Sequence, residues 1–190
     1  TALTLDMSDA GAATFNKGAT FGGDITISEG TPAINFTDTD NNYDASIAGL
    51  SGSLVLTADA NAEFGTETIQ FHTGGSQRVT IDSSGRVLVA SSTAVTGTTT
   101  AKLQINGTDN AGSTISIGRF SANANAPVLQ FIKSRNGTVG SNTVVQDGDN
   151  LGEISFAASD GSDTATLAAK IFGEVDGTPG SNDMPGRLAF

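Results

Sequence analysis

The chain has 190 residues, 37% of them hydrophobic, and sets 9 Lys plus Arg against 20 Asp plus Glu for a net charge of −11 at pH 7. A surface this acidic repels phosphate backbones and anionic lipid, which disfavours nucleic-acid binding and attachment to membrane surfaces. Cysteine is absent, which excludes disulfides and thiolate metal sites, and no apolar run approaches the ~18 residues of a membrane-spanning helix.

The first segment, residues 1–30, reads as a stem. Leu3/Leu5 alternate, Ala13-Thr-Phe15 and Ala19-Thr-Phe21 follow at short spacing, and Asp24-Ile-Thr-Ile27 closes the stretch. Strands this brief, separated by Asn-Lys-Gly and Gly-Gly, do not make a stable sheet within one chain. They do if several chains wind around a shared apolar axis. The opening lacks the basic start and apolar stretch of a signal peptide. It also lacks Met, and the last residues, Gly186 to Phe190, fall inside an expected strand, so the chain reads as a piece of a longer polypeptide.

Residues 31–100 read as a first β module. A large apolar residue, one spacer and a second large apolar residue recur at Ile34/Phe36, Leu54/Leu56, Ile69/Phe71, Val79/Ile81 and Val87/Val89. That alternation puts one face of a pleated strand inward and the other outward. The clearest unit is Val79 to Val89, where Asp82 to Gly85 predicts a type I turn with Gly85 left-handed, joining two strands in a hairpin.

Residues 101–190 read as a second module. The triplet returns at Leu103/Ile105, Ile115/Ile117, Leu129/Phe131, Ile154/Phe156 and Leu188/Phe190. Counting Leu3/Leu5 and Ile25/Ile27 makes twelve triplets, and in nine the spacer is Thr, Ser, Asn or Gln. Asn106-Gly107, Asn136-Gly137, Asp147-Gly148, Asp160-Gly161 and Asp176-Gly177 are predicted turns, since these pairs tolerate positive φ. The Ala-rich stretch Thr164 to Phe172 is the best helix candidate. Leu167, Ala169, Ile171, Gly173 and Val175 nevertheless line one face of a strand, and flanking glycines favour the strand.

A degenerate repeat links the modules. Pro32-Ala-Ile-Asn-Phe36 matches Pro127-Val-Leu-Gln-Phe131. Ala45 to Gly49 followed by Gly52 to Leu56 matches Ala169 to Gly173 followed by Gly186 to Phe190. Repeated β modules in series point to an elongated object. The large apolar residues number 46, and 24 residues are Gly. The core is therefore thin and needs partners, most simply further copies of the chain.

These residues resemble bacteriophage tail fibres. Leu3 to Phe15 and Gly23 to Ser28 look like stem repeats. Thr31 to Asn42, Gly52-Ser-Leu54 and Gln77 to Arg86 are similar to one fibre module; Pro127 to Arg135, Val144 to Asp149 and Asp176 to Arg187 are similar to another. The resemblance implies an intertwined homotrimer with β-sandwich or β-prism-like modules, located in the virion tail outside the cell. Its implied partners are two further copies, other tail proteins and a host-cell glycan or protein receptor, with no nucleic acid and no membrane insertion. It supplies no receptor-contacting residues.

No catalytic, cofactor or metal site is expected. His72 is the single histidine, and Gly74 stands where a His-x-His axial metal pair needs its second ligand. No Gly-x-Ser-x-Gly elbow accompanies it. Asp38 to Asn42 begins like a calcium loop, but Tyr43 replaces the turn glycine and Gly49 the bidentate Glu. Asp147, Asp149 and Glu153, and Asp160 with Asp163, offer oxygen donors that read more simply as turn residues. Asn35, Asn106 and Asn136 open glycosylation sequons that read as strand and turn positions. Arg78, Arg86, Arg119, Lys133, Arg135, Lys170 and Arg187 are scattered and expected to pair with nearby Asp. The function expected is structural and adhesive: a non-enzymatic segment that extends a receptor-binding tip. The alternatives are a glycan-binding or glycan-cleaving tailspike domain, a bacterial surface adhesin and a virion decoration protein.

Overall fold

The computed structural model of the chain describes residues 19–20, 22–28, 32–36, 44–59 and 65–190. The chain divides into two compact units, Thr1–Asn61 and Ala62–Phe190. It is all-β: the described residues hold three small sheets, none of them closed, and no helix. Leu3/Leu5, Phe15, Phe21 and Asp38 to Tyr43 lie outside the described residues. Of the expected stem, Ile25 and Ile27 are described, and both are exposed and outside any strand.

In the first unit, β1 (Ala33–Phe36), β2 (Ala45–Leu50) and β3 (Ser53–Ala58) form an antiparallel sheet in chain order. Ile34, Ile47 and Leu56 stand side by side across it, and Leu54 pairs with Gly49. Ser51 and Gly52 both take positive φ, 48° and 81°, which is the twist a two-residue hairpin turn needs. The Gly49 amide donates to the Pro32 carbonyl at 2.9 Å, extending the β1–β2 ladder by one step.

The second unit opens with four strands. β4 (Ile69–Thr73), β5 (Ser76–Ile81) and β6 (Val87–Val89) are antiparallel neighbours, and β7 (Leu103–Ile105) lies parallel to β6. The hairpin predicted over Val79 to Val89 is present. Gly85 has φ 68°, its amide donates to the Asp82 carbonyl at 2.8 Å, and the Asp82 amide donates to the Arg86 carbonyl at 3.1 Å. The Asp82 carboxylate locks the turn by accepting from the Ser84 and Arg86 amides and from Arg86 Nε. β4 and β5 are joined through Gly74 and Gly75, again both at positive φ.

A parallel neighbour needs a crossover, and here residues 90–102 provide it without a helix. Buried Gln104 stitches it down: its side-chain oxygen accepts from the Val95 amide at 2.8 Å, and its side-chain nitrogen donates to the Ala101 carbonyl at 3.2 Å. Leu88 on β6 is 1% exposed at the centre of this sheet.

The third sheet, also in the second unit, comprises β8 (Asn150–Ala158), β9 (Thr166–Val175) and β10 (Gly186–Ala189) with β9 in the middle. The Ala-rich stretch is therefore strand, as the alternation predicts. Its register matches that of the first sheet. Ile154 faces Ile171 as Ile34 faces Ile47, and Phe156 faces Ala169 as Phe36 faces Ala45. Gly173 faces Leu188 as Gly49 faces Leu54. The repeat in the sequence is thus real in space, with one reassignment. The counterpart of β1 is residues 152–156, not Pro127 to Phe131, which belongs to no strand. Ile115/Ile117 likewise lies outside any strand.

Leu88, Val145 and Val175 are the buried hydrophobic residues among those described. So small a core makes each member costly to truncate. Leu88→Ala is expected to lower the unfolding free energy by ~2–5 kcal/mol, read as a shift in the urea midpoint at unchanged slope.

Candidate functional site

The groups considered for chemistry take part in local hydrogen bonds. His72 is exposed on β4, beside a register shift at Phe71/His72, and its Nε2 lies 3.0 Å from the Gln70 side-chain oxygen. Phe71 is exposed as well, so the strand does not bury it on the face opposite His72. Among the described residues no group of three His, Asp or Glu converges as a metal site.

The Asp147–Asp149 turn is a clip. Asp147 accepts from the Gly177 amide at 2.7 Å, Gly148 at φ 81° donates to the Val175 carbonyl, and the Val175 amide donates to the Asp149 carbonyl. Asp149 accepts both Arg135 Nε and Nη2, at 2.6 and 2.7 Å, and the Gln146 amide. The Arg135 bonds, followed by the Gln146 amide, hold its carboxyl far below the usual carboxylate range. Asp160 accepts from the Ser162 and Asp163 amides and from the Thr166 hydroxyl, which lowers its pKa too. Glu153 is lowered by hydrogen bonds from Ser155 and Lys170.

The feature that stands out beyond these clips is a pair of largely exposed apolar sheet faces. On β8–β9–β10 one face carries a charge lattice. Lys170 bridges to Glu153 at 3.1 Å and lies 4.4 Å from the Phe172 ring centre, and Arg187 reaches Glu174 at 3.2 Å and Asp176 at 3.5 Å. The alternate residues of the same strands, Ile154, Phe156, Ile171 and Leu188, form the opposite, apolar face. Leu188 is 64% exposed and Phe156 52%. A groove of about 340 Å³ runs over it between Leu129, Phe131, Ile154, Ile171 and Leu188.

The first sheet repeats the pattern. Asn35, Ser46 and Thr57 line up on one face, while Ile34, Phe36, Ile47, Leu54 and Leu56 line the other, with Leu54 73% exposed. Exposed apolar faces this continuous are larger than the singly scattered apolar residues of an ordinary protein surface. The alternating triplets had named most of these residues. The expected pairing with Asp holds in part: Arg86 and Arg135 pair with Asp and Arg187 reaches Asp176, but Arg187 lies nearer Glu174, Lys170 pairs with Glu153, and Arg78 and Arg119 donate to Thr73 and Asn123. Cross-strand spacing, unlike sequence spacing, sets those partners.

Compared with protein-family models, curated proteins and solved structures, the chain matches none of them.

The lowered carboxyls fix the sign of an acid response. Asp82, Asp149, Asp160 and Glu153 have folded-state values below their ordinary 3.8 or 4.5, so they stabilise the fold wherever they are ionised in both states. That contribution is complete above about pH 5 and is lost as pH falls through and below the ordinary carboxylate range. The expected result is a thermal midpoint that is flat from neutral pH to about 5 and drops below about 4. Asp149→Asn should lower the midpoint at pH 7, with its difference from the parent shrinking below about pH 3.

Proposed function

We propose that this chain is a shaft segment of a bacteriophage tail fibre, a homotrimer whose apolar sheet faces close on one another and which carries a receptor-binding tip away from the virion. It works without catalysis. Its partners in this reading are two further copies, other tail proteins and a host-surface glycan or protein reached through the tip.

The observation that carries the reading is the repeated, exposed apolar face. The same five register positions, Ile34/Ile154, Phe36/Phe156, Ile47/Ile171, Gly49/Gly173 and Leu54/Leu188, recur in two sheets. Each large side chain among them gains ~1.5–3 kcal/mol on burial, which a single copy forgoes. Two equivalent faces in one chain, each needing cover, fit a rod assembled from copies laid side by side. The net charge of −11 keeps such rods soluble and discourages lateral sticking.

Negative-stain micrographs of the purified chain are expected to show rods of uniform width. Incubation with bacterial surface polysaccharide should release no new reducing ends. Ile47→Asp combined with Ile171→Asp should weaken assembly at least about 100-fold and remove the rods, because an unpaired buried charge costs several kcal/mol and each ~1.4 kcal/mol is tenfold. Compact single-chain particles would contradict the fibre, and reducing ends would favour a glycan-cleaving tailspike.

A further inference from the structure

We propose that residues 127–132 form a strand exchanged between copies, adding to the open edge of β8 in a second copy of this chain. The proposal rests on the oligomeric reading above and deepens it.

Pro127-Val-Leu-Gln-Phe131 has the sequence of a paired strand. It matches Pro32 to Phe36, which contains β1 and hydrogen-bonds along β2. In the third sheet the corresponding position beside β9 is already taken by β8. The segment is therefore a strand sequence without a place in its own sheet.

Its surroundings agree. No backbone–backbone hydrogen bond joins residues 115–133 to any described residue, and Val128, Leu129 and Ile132 are 72%, 65% and 83% exposed. Its backbone donors and acceptors are therefore free to pair with a neighbouring strand. The segment does not sit beside its own β8 as a neighbouring strand. A Cβ added to Gly152 would lie 2.5 Å from Phe131 Cβ, which places Phe131 above the sheet face and not at its edge. The two-pronged Arg135–Asp149 bridge fixes the chain just beyond it.

The receiving edge is equally bare. β8 spans nine residues, pairs on one side only, and carries neither Pro nor Lys to guard the other side. Its one charge, Glu153, is engaged with Lys170. Register shifts at Asn150/Gly152 and Phe156/Ala157 leave residues 152–156 as the regular stretch of that edge, long enough to template an added strand. With the apolar faces of donor and acceptor aligned, Gln130 and Ser155 both fall on the polar face.

The cysteine-free sequence makes the test clean. Single substitutions Gln130→Cys and Ser155→Cys would be placed in separate full-length chains, which are mixed, unfolded, refolded together and oxidised. The expected product is a disulfide between the two different chains, together with amide exchange over residues 128–132 in the unsubstituted assembly slowed at least about 100-fold relative to free peptide. An assembled sample in which no disulfide links the two different chains, or in which those amides exchange freely, overturns strand exchange and leaves the fibre reading standing. A sample that is monomeric throughout overturns both.

Discussion

A β-sheet has two faces, and a stable domain covers at least one of them with another layer. Here the first and third sheets each carry large apolar side chains on one face that remain largely exposed, the third with only Leu129 and Phe131 beside it. Ile34, Ile47 and Leu56 lie in one row across the first sheet, and Ile154 and Ile171 lie in the equivalent row of the third. The small core, the alternation with polar spacers and the acidic surface all suit a molecule whose hydrophobic centre is shared.

The opposite face of the third sheet shows how the chain commits that sheet to one orientation. Glu153, Lys170, Glu174 and Arg187 form a lattice on the third sheet, with Asp176 at its margin. Exposed pairs of this kind contribute little stability singly. Their effect is to make the wrong face costly to bury, since sealing it would strand ionised groups away from water. The carboxylates elsewhere act locally. Asp82 holds the β5–β6 turn, Asp147 and Asp149 clip the start of β8 to the end of β9, and Asp160 shapes the loop between those strands. The acidic composition thus also provides the turn chemistry.

Much of this was legible before any coordinates, and the exceptions have physical causes. The Val79–Val89 hairpin was readable because Asp82 and Gly85 act within four residues of each other. β9 was readable as strand because its alternation outweighs the helix propensity of its alanines. The parallel pairing of β6 with β7 was not, since it depends on Gln104 gripping Val95 and Ala101 and not on a local turn. Ser51-Gly52 and Gly74-Gly75 are hairpin turns that passed unnoticed beside the Asn-Gly pairs. Gly107 and Gly137 are outside the positive-φ region. There the Asn106 side chain bonds Gln104, and the Asn136 side-chain oxygen accepts from the Thr138 amide, so each Asn holds its own loop another way. Leu129/Phe131 has strand alternation without a strand because the competing segment Ile154/Phe156 occupies the site. Alternation marks which residues can pair, and only the fold decides which do. The apolar face was legible residue by residue, but its repetition in two registers emerged from the pairing alone.

The central claim is that these faces are closed by other copies. The most direct measurement is the mass of the folded chain by sedimentation equilibrium at micromolar concentration. The account predicts three times the chain mass of 19.1 kDa, with a melting temperature that rises with concentration. A species of one chain mass that melts cooperatively, at a temperature independent of concentration, would contradict it.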